Sequence, residues 1–113
     1  KTLSNLQFMS IINSLTKIKN HCIVNSNSSI DHNCVMSDFS SLAPNVAVGG
    51  NVNIGNYSAI GIGAIIFHNI NIGQNCIIGG GSVVCKNTNG NSIYYGSPAK
   101  LIREHKLGNK YLT

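Results

Sequence analysis

The sequence predicts an all-β fold, a parallel β-helix built from six-residue (hexapeptide) repeats. Three observations indicate this fold: an apolar residue at every sixth position, a mostly small residue four positions after it, and glycine directly after several of the apolar residues. An α-helix would have an apolar period of about 3.6 residues and a half-buried strand a period of about two, so neither explains a period of six. A short fixed period is typical of solenoids, in which each repeat packs on its neighbours.

The apolar register runs unbroken through most of the chain. Its members are Ile12, Ile18, Val24, Ile30, Met36, Leu42, Val48, Ile54, Ile60, Ile66, Ile72, Ile78 and Val84. Apolar residue types make up 42% of the chain, so a random sequence would break such a register within a few steps. The register therefore predicts one large side chain per repeat that points inward, so that the repeats together form a continuous apolar column.

The small residues and glycines predict the corners of the coil. The small register includes Cys22, Ser28, Cys34, Ser40, Ser58, Ala64, Cys76 and Ser82, and glycine follows the apolar residue at 49, 55, 61, 73 and 79. Gly and Asn tolerate the positive φ of tight turns, so each unit is expected to be a short strand followed by a turn. Three six-residue units make a coil of 18 residues. Successive coils stack at about 4.8 Å.

Composition excludes several classes of protein. A chain of 113 residues is expected to form one domain. No apolar run approaches the roughly 20 residues that span a bilayer, so we expect no membrane segment. The net charge of +5 is not interleaved with aromatic residues, so we expect no nucleic-acid partner.

The four cysteines favour a reducing compartment. Cys22, Cys34 and Cys76 belong to the small register, where a thiol is a compact apolar filler. Cys22 and Cys76 share a corner but lie three coils apart, which is beyond the reach of a disulfide. We therefore expect free thiols and a cytoplasmic protein.

Polar side chains concentrate in SSIDHNCVMSDFSS, residues 28–41. Asp31 and Asp38, two of the chain's three acidic residues, lie there with His32 and Asn33. His32 comes two residues after Ile30, at a position that is expected to face outward at a turn. A histidine there is either a solvated surface residue or a reactive one, and an imidazole titrates near the pH at which a general base works.

The register and this stretch resemble the hexapeptide-repeat acyltransferases, and the resemblance covers nearly the whole chain. Within that superfamily IDHNCVMSDFSSLAPNVAVGGNVNIG most resembles the sugar O-/N-acetyltransferases of the sialic-acid and bacillosamine type. The segments that carry the match are Asp31-His32-Asn33, Asp38-Phe39-Ser40 and Gly49-Gly50-Asn51-Val52. The resemblance implies a left-handed β-helix, a homotrimer with its active site between neighbours, and transfer of the acetyl group of acetyl-CoA to an amine or hydroxyl of a sugar or sugar nucleotide.

The resemblance also implies the catalytic residues. His32 corresponds to the general base, and Asn33 stands where the family usually has an acidic residue that orients the imidazole. Gly50 lies 18 residues after His32, at the same corner one coil further along. Its backbone N–H is the expected donor to the oxyanion.

The remaining implied contacts are with the acetyl donor. Ser41 stands where the family often has a second histidine near the acetyl group. Gly50, Ile62 and Gly80 correspond to residues along the pantetheine path. Lys86 is expected to meet the phosphates of CoA, for which a cation near the last coils is suited.

The end of the chain also resembles the family. IIGGGSVVCKNTNGNSIYYGSPAKLIREH resembles the last coil, a loop, a Gly-x-Pro-Ala-Lys turn and a short terminal helix. We therefore expect residues 1–88 to form the β-helix, with its N-terminal part truncated, and residues 89–113 to form a loop and a short helix. The family's N-terminal sugar-nucleotide domain is not found in the sequence.

Two alternatives remain open. His32 and His68 lie 36 residues apart, so they share a face two coils, about 10 Å, from each other. Facing histidines bind zinc in the γ-class carbonic anhydrases, but the third ligand of that class falls on Gly73, so we expect no metal. The other alternative is a catalytically inactive trimeric fragment that lacks the sugar-nucleotide domain. Zinc analysis and acetyl-CoA binding separate the three interpretations.

Overall fold

The computed structural model describes residues 4–6 and 10–106 of the chain. In those ranges the regular structure is a series of short strands followed by a hairpin. The strands are β1 Asn5–Leu6, β2 Ile11–Ile12, β3 Lys17–Ile18, β4 Ile23–Val24, β5 Ser29–Ile30, β6 Val35–Met36, β7 Ser41–Leu42, β8 Ala47–Val48, β9 Asn53–Ile54, β10 Ala59–Ile60, β11 Ile65–Ile66, β12 Asn71–Ile72, β13 Ile77–Ile78, β14 Val83–Val84, β15 Ser92–Gly96 and β16 Ala99–Glu104.

The strands form three sheets, which are the faces of a left-handed parallel β-helix. Face 1 has the order β1-β4-β7-β10-β13-β15-β16, face 2 has β2-β5-β8-β11-β14, and face 3 has β3-β6-β9-β12. Within the solenoid each residue pairs in parallel with the residue 18 positions later, as Ile12 does with Ile30 and Ala47 with Ile65. The predicted coil length and fold class are confirmed.

The predicted apolar column is the core of the structure. From Val24 to Val84 every member of the register is buried, whereas Ile12 and Ile18 are partly buried and pack against the column. Each apolar residue of the register lies over the register residue 18 positions earlier, as Ile30 lies over Ile12. The column therefore has no polar break. This continuous burial is the main apolar stabilisation of the chain.

The small register lies inside the corners, where hydroxyls satisfy the backbone. Ser58 Oγ donates to the carbonyl of Gly73 and accepts from the backbone N–H of Cys76 at 2.9 Å. Cys22, Cys34 and Cys76 are buried free thiols, and Cys85 is an exposed one. Burial raises the pKa of the Cys34 and Cys76 thiols. Cys34 and Cys76 therefore act as fillers that remain protonated.

The glycines after the apolar register have a different role from the one predicted. The left-handed turn position is taken mainly by asparagine, with φ between 50° and 62° at Asn27, Asn33, Asn45, Asn51, Asn69, Asn75 and Asn91. Gly55 and Gly61 are not at that position. A Cβ on Gly55 would lie 2.6 Å from the backbone N of Gln74, and one on Gly61 would lie 2.6 Å from the backbone N of Gly80. These glycines allow the next coil to approach closely.

The described C-terminal part, up to residue 106, is a hairpin in place of the expected loop. Residues 92–104 form β15 and β16, which pair antiparallel, and β15 continues face 1 in register with β13. The predicted Gly-x-Pro-Ala-Lys turn is present and joins the two strands at Ser97–Pro98. The described part of the C-terminal region holds no helix, and residues 107–113 lie outside the described residues. No helix among the described residues has the length and apolarity needed to cross a membrane.

Replacing Ile72 with Asp should abolish the cooperative unfolding transition. Ile72 is 3% exposed, and a carboxylate there would enter the dry column without a partner. Cys76→Ser should cost only about 1 kcal/mol, because Ser40 and Ser58 occupy the same corner of other coils. Circular dichroism during heating measures both variants. Two melting temperatures equal to that of the parent would mean that the register is wrong.

Candidate active site

The candidate site is distributed over two corners of the coil. Corner A joins face 1 to face 2 and comprises residues 25–28, 43–46, 61–64 and 79–82. Corner B joins face 2 to face 3 and comprises residues 13–16, 31–34, 49–52, 67–70 and 85–88. The third corner, corner C, comprises residues 19–22, 37–40, 55–58 and 73–76. Side chains at the second and third position of each corner point away from the core.

His32 projects from corner B with a fixed ring orientation. Its side chain is 62% exposed, and its Nδ1 lies 3.0 Å from Oδ1 of Asn33. Asn33 has φ of 60°, the left-handed turn conformation. An amide oxygen can only accept, so Nδ1 is the donor in this contact, and in the neutral ring Nε2 then keeps a lone pair. The ring is thus held as a base that is open to solvent at Nε2.

Gly50 leaves room for the His32 ring. A Cβ on Gly50 would lie 3.1 Å from Cε1 and 3.3 Å from Nε2 of His32. The backbone N–H of Asn51 donates to the carbonyl of His32 at 2.9 Å, which stacks the two turns. Among residues 4–6 and 10–106, no group accepts a hydrogen bond from the N–H of Gly50. Gly50 thus lies at the same corner as His32 one coil further along, and its N–H is free among the described residues.

Asp31 is a neighbour of His32 that the sequence interpretation left without a role. Its Oδ1 accepts the backbone N–H of His32 at 2.8 Å and the side-chain N–H of Asn13 at 3.0 Å. The backbone hydrogen bond and then that of Asn13 lower the pKa of the Asp31 carboxyl. The same oxygen lies 4.0 Å from Nε2 of His32. The site thus has an ionised group on the open side of the imidazole.

Three of the residues predicted to bind the acetyl donor lie together, at a different part of the coil from His32. Ser41, Ile62 and Gly80 line a groove of about 660 Å³ along face 1 and corner A. Its lining combines small residues with the large apolar or aromatic side chains of Ile62, Ile77, Ile93, Tyr95 and Ile102. Face 2 lies between this groove and His32 in the same chain. One chain therefore does not bring the two sets of predicted residues together.

Part of that groove comes from residues that the sequence interpretation missed. Tyr95 and Ile102 belong to the hairpin, which was expected to be a loop and a helix. The ring of Tyr95 crosses the face above Gly79, where any Cβ would collide with it. The available sequence signal was the pair of β-prone segments SIYYG and AKLIRE on either side of Ser97-Pro98.

Lys86 lies on corner B, at the same turn position as His32 and Gly50 but three coils beyond His32. It lines a smaller hollow of about 290 Å³ that also includes Lys100 and Tyr94. Two lysines at the C-terminal end of the solenoid make this hollow suited to an anion.

His68 occupies the same turn position two coils beyond His32, with Gly50 between them. It is exposed and lines a shallow hollow on face 2 with Phe67 and Ile65. In the described part of the chain, no group of three or more His, Cys, Asp or Glu side chains could hold a metal ion. The two histidines thus lack further ligands there.

No protein-family model and no curated protein sequence matches the chain. Its structure is similar to that of a maltose O-acetyltransferase from Clostridium difficile 630, with 26% identity, a TM-score of 0.84, and coverage of 91% of this chain and 67% of that one. It is also similar to WeeI from Acinetobacter baumannii AYE, with 27% identity, a TM-score of 0.82, and coverage of 88% and 52%. A serine acetyltransferase from Brucella abortus strain S19 has 28% identity, a TM-score of 0.77, and coverage of 81% and 41%. The chain thus spans about half the length of WeeI.

Gly50→Ala should move the His32 ring without unfolding the chain. The added methyl would lie closer to Cε1 and Nε2 than ordinary contact allows, and the ring is exposed enough to swing away. Nuclear magnetic resonance of the histidine ring carbons should show changed shifts for His32 alone. Asn56→Ala, at the second position of corner C, is the control and should leave them unchanged. Unchanged His32 shifts in Gly50→Ala would contradict the contact.

Proposed function

We propose that the chain carries the catalytic part of an acetyl-CoA-dependent acetyltransferase, with an amine or hydroxyl of a sugar or sugar nucleotide as acceptor. The observation that carries the proposal is an oriented imidazole next to a glycine with a free backbone donor: His32 is anchored through Nδ1, and its ring lies against Gly50, whose N–H has no acceptor among the described residues. Two of the similar structures named above are acetyltransferases, which supports the reaction class.

The proposed reaction is a direct transfer with His32 as general base. The acceptor O–H or N–H loses its proton to Nε2 as its heteroatom attacks the carbonyl carbon of the thioester. Negative charge develops on the carbonyl oxygen, where the N–H of Gly50 is a donor that needs no reorganisation. The C–S bond then breaks, and the imidazolium returns the proton to the leaving thiolate. Asn33 keeps the neutral ring in the tautomer with its proton on Nδ1, which these steps require.

The groove on face 1 is the proposed site for the pantetheine arm. Its lining is mostly apolar, and its small residues Ser41, Ala59 and Gly61 leave room for a narrow chain to lie against the sheet. The level of Lys86 is three coils, or about 14 Å, beyond that of His32. This offset suits an extended arm with its thioester at the base and its phosphates near Lys86 and Lys100.

The separation of base and groove leads us to propose a homotrimer. Face 2, which separates the two corners, exposes large apolar side chains at Ile11 and Ile65, and Phe67 adds another at the adjoining edge of corner B. Packing face 2 around a threefold axis would bury this surface and bring corner B of one chain to corner A of the next. The base of one subunit would then face the donor groove of its neighbour.

The acceptor class and the compartment are parts of the same proposal. The resemblance of residues 30–55 favours an acceptor of the sialic-acid or bacillosamine type, that is, an amino sugar or its nucleotide. The free cysteines of the described chain fit a reducing compartment, so we propose a cytoplasmic enzyme.

His32→Ala should lower the turnover of acetyl transfer by about 10²–10⁴-fold, the usual contribution of a positioned acid–base group. The affinity for acetyl-CoA, measured by calorimetry, should change little because the groove is left intact. His68→Ala is the matched control, since His68 occupies the same turn position two coils further along. Unchanged turnover in His32→Ala would return His32 to the role of a surface residue. Equal losses in both variants would favour the two-histidine zinc alternative.

A mixture of two inactive variants should recover activity if the site is shared between chains. His32→Ala removes the base, and Ile62→Asp puts a charge into the groove at an exposed position that tolerates it. In randomly mixed trimers about a quarter of the sites would combine an intact base with an intact groove. Steady-state rates of the co-expressed variants measure this fraction. Rates no higher than the mean of the separate variants, or sedimentation as a monomer, would contradict the shared site.

A further inference from the structure

The carboxylate of Asp31 faces the open side of the His32 ring. Its Oδ1 lies 4.0 Å from Nε2, and its side chain is 48% exposed. Asn33, which is neutral, contacts the other ring nitrogen, Nδ1. The negative charge next to this imidazole is therefore on the side where the proposed reaction delivers its proton.

Two hydrogen bonds hold the carboxylate in that place. Oδ1 accepts the backbone N–H of His32 at 2.8 Å and Nδ2 of Asn13, on the preceding coil, at 3.0 Å. Both bonds favour the ionised form, and they lower the pKa of Asp31. The charge is thus present throughout the neutral range and does not depend on a flexible side chain.

We propose that Asp31 is a positioning residue that stabilises the protonated form of His32, a role that rests on the proposed function. Before proton transfer the carboxylate faces a lone pair and gains nothing from it. After transfer it faces an N–H that carries positive charge, at a distance where opposite charges attract. The interaction therefore arises only as the acceptor loses its proton, and this is when it assists the reaction.

The surroundings of the ring add no competing charge at close range. The coil before contributes Asn13 and Ser14 to corner B, and the coil after contributes Gly49 and Gly50, none of which titrates. Cys34 in the same turn has a buried thiol whose pKa is raised, so it stays uncharged. The next charged or titratable residues are Lys17 on β3, His68 two coils on and Lys86 three coils on. Asp31 is thus the nearest neighbour of His32 along this corner that carries a charge.

A purely structural role for Asp31 would be to cap the turn through its two hydrogen bonds. Asp31→Asn separates the two roles, because an amide oxygen still accepts both bonds while the charge is lost. Asp38→Asn is the matched control. Asp38 Oδ1 also accepts a backbone N–H, that of Asn20 at 3.0 Å, but it lies on corner C.

The experiment measures pH–rate profiles of kcat/KM and the titration of the His32 ring resonances in the full chain. In Asp31→Asn the acidic limb and the midpoint of the ring titration should both move to lower pH by about half a unit, as expected for a lost unit charge near water. Turnover should fall by up to about threefold, and KM for acetyl-CoA should not change. Asp38→Asn should move neither limb nor midpoint.

The double variant Asp31→Asn/Asn33→Asp transfers the charge to the Nδ1 side. It should move the acidic limb back to the position of the parent or above it, because a carboxylate at that site also favours the protonated ring. An Asp31→Asn protein that behaves as Asp38→Asn does would overturn the inference and leave Asp31 as a turn cap. The ring titration can be measured without acetyl transfer. If the chain had no activity but Asp31→Asn still shifted the midpoint, the interaction between Asp31 and His32 would stand and the proposed function would be rejected.

Discussion

The parallel pairing of residues 18 positions apart is the constraint on which the rest of the structure depends. Each strand is only two residues long in the solenoid, so no coil is stable without its neighbours. Parallel pairing places every side chain directly above the equivalent one, as in Ile30 above Ile12. Burial, turn geometry and surface chemistry are therefore decided by columns of residues and not by individual positions.

The turns show how stacking of equivalent residues between coils offsets the strain of a positive φ. Leu15, His21, Phe39 and Tyr57 adopt positive φ, which is unfavourable for residues other than Gly and Asn. Three of them occupy one corner, where the rings of His21, Phe39 and Tyr57 stack with centroids 4.9 Å and 5.0 Å apart. At another corner Asn51 donates to Asn69 at 2.9 Å. Several residues with positive φ thus contact the equivalent residue of the next coil, through hydrogen bonds where they are asparagine and through ring stacking where they are aromatic.

Periodicity predicted the features that repeat and missed those that do not. It predicted the three faces, the buried column and the stacking of Gly50 on His32, because each follows from spacings of six and 18. It did not predict the hairpin, where the register ends and antiparallel pairing begins. The same arithmetic could have shown that Ile62 and Gly80 lie on a different corner from His32, whereas the approach of Asp31 to Nε2 depends on side-chain torsions that spacing does not describe.

The stacking of equivalent residues also limits which residues can surround His32. His32 lies at an outward turn position, away from the core and from the strands that pair between coils. Its neighbours are then its own turn residues and the equivalent residues of the adjacent coils. At corner B the coil after His32 has Gly50, where a side chain would crowd the ring, and the coil before has Asn13 and Ser14, so the charge beside the ring comes from the same turn. Position 33 is neutral here and position 31 carries the carboxylate, which is the other place in that turn from which an acid reaches the ring.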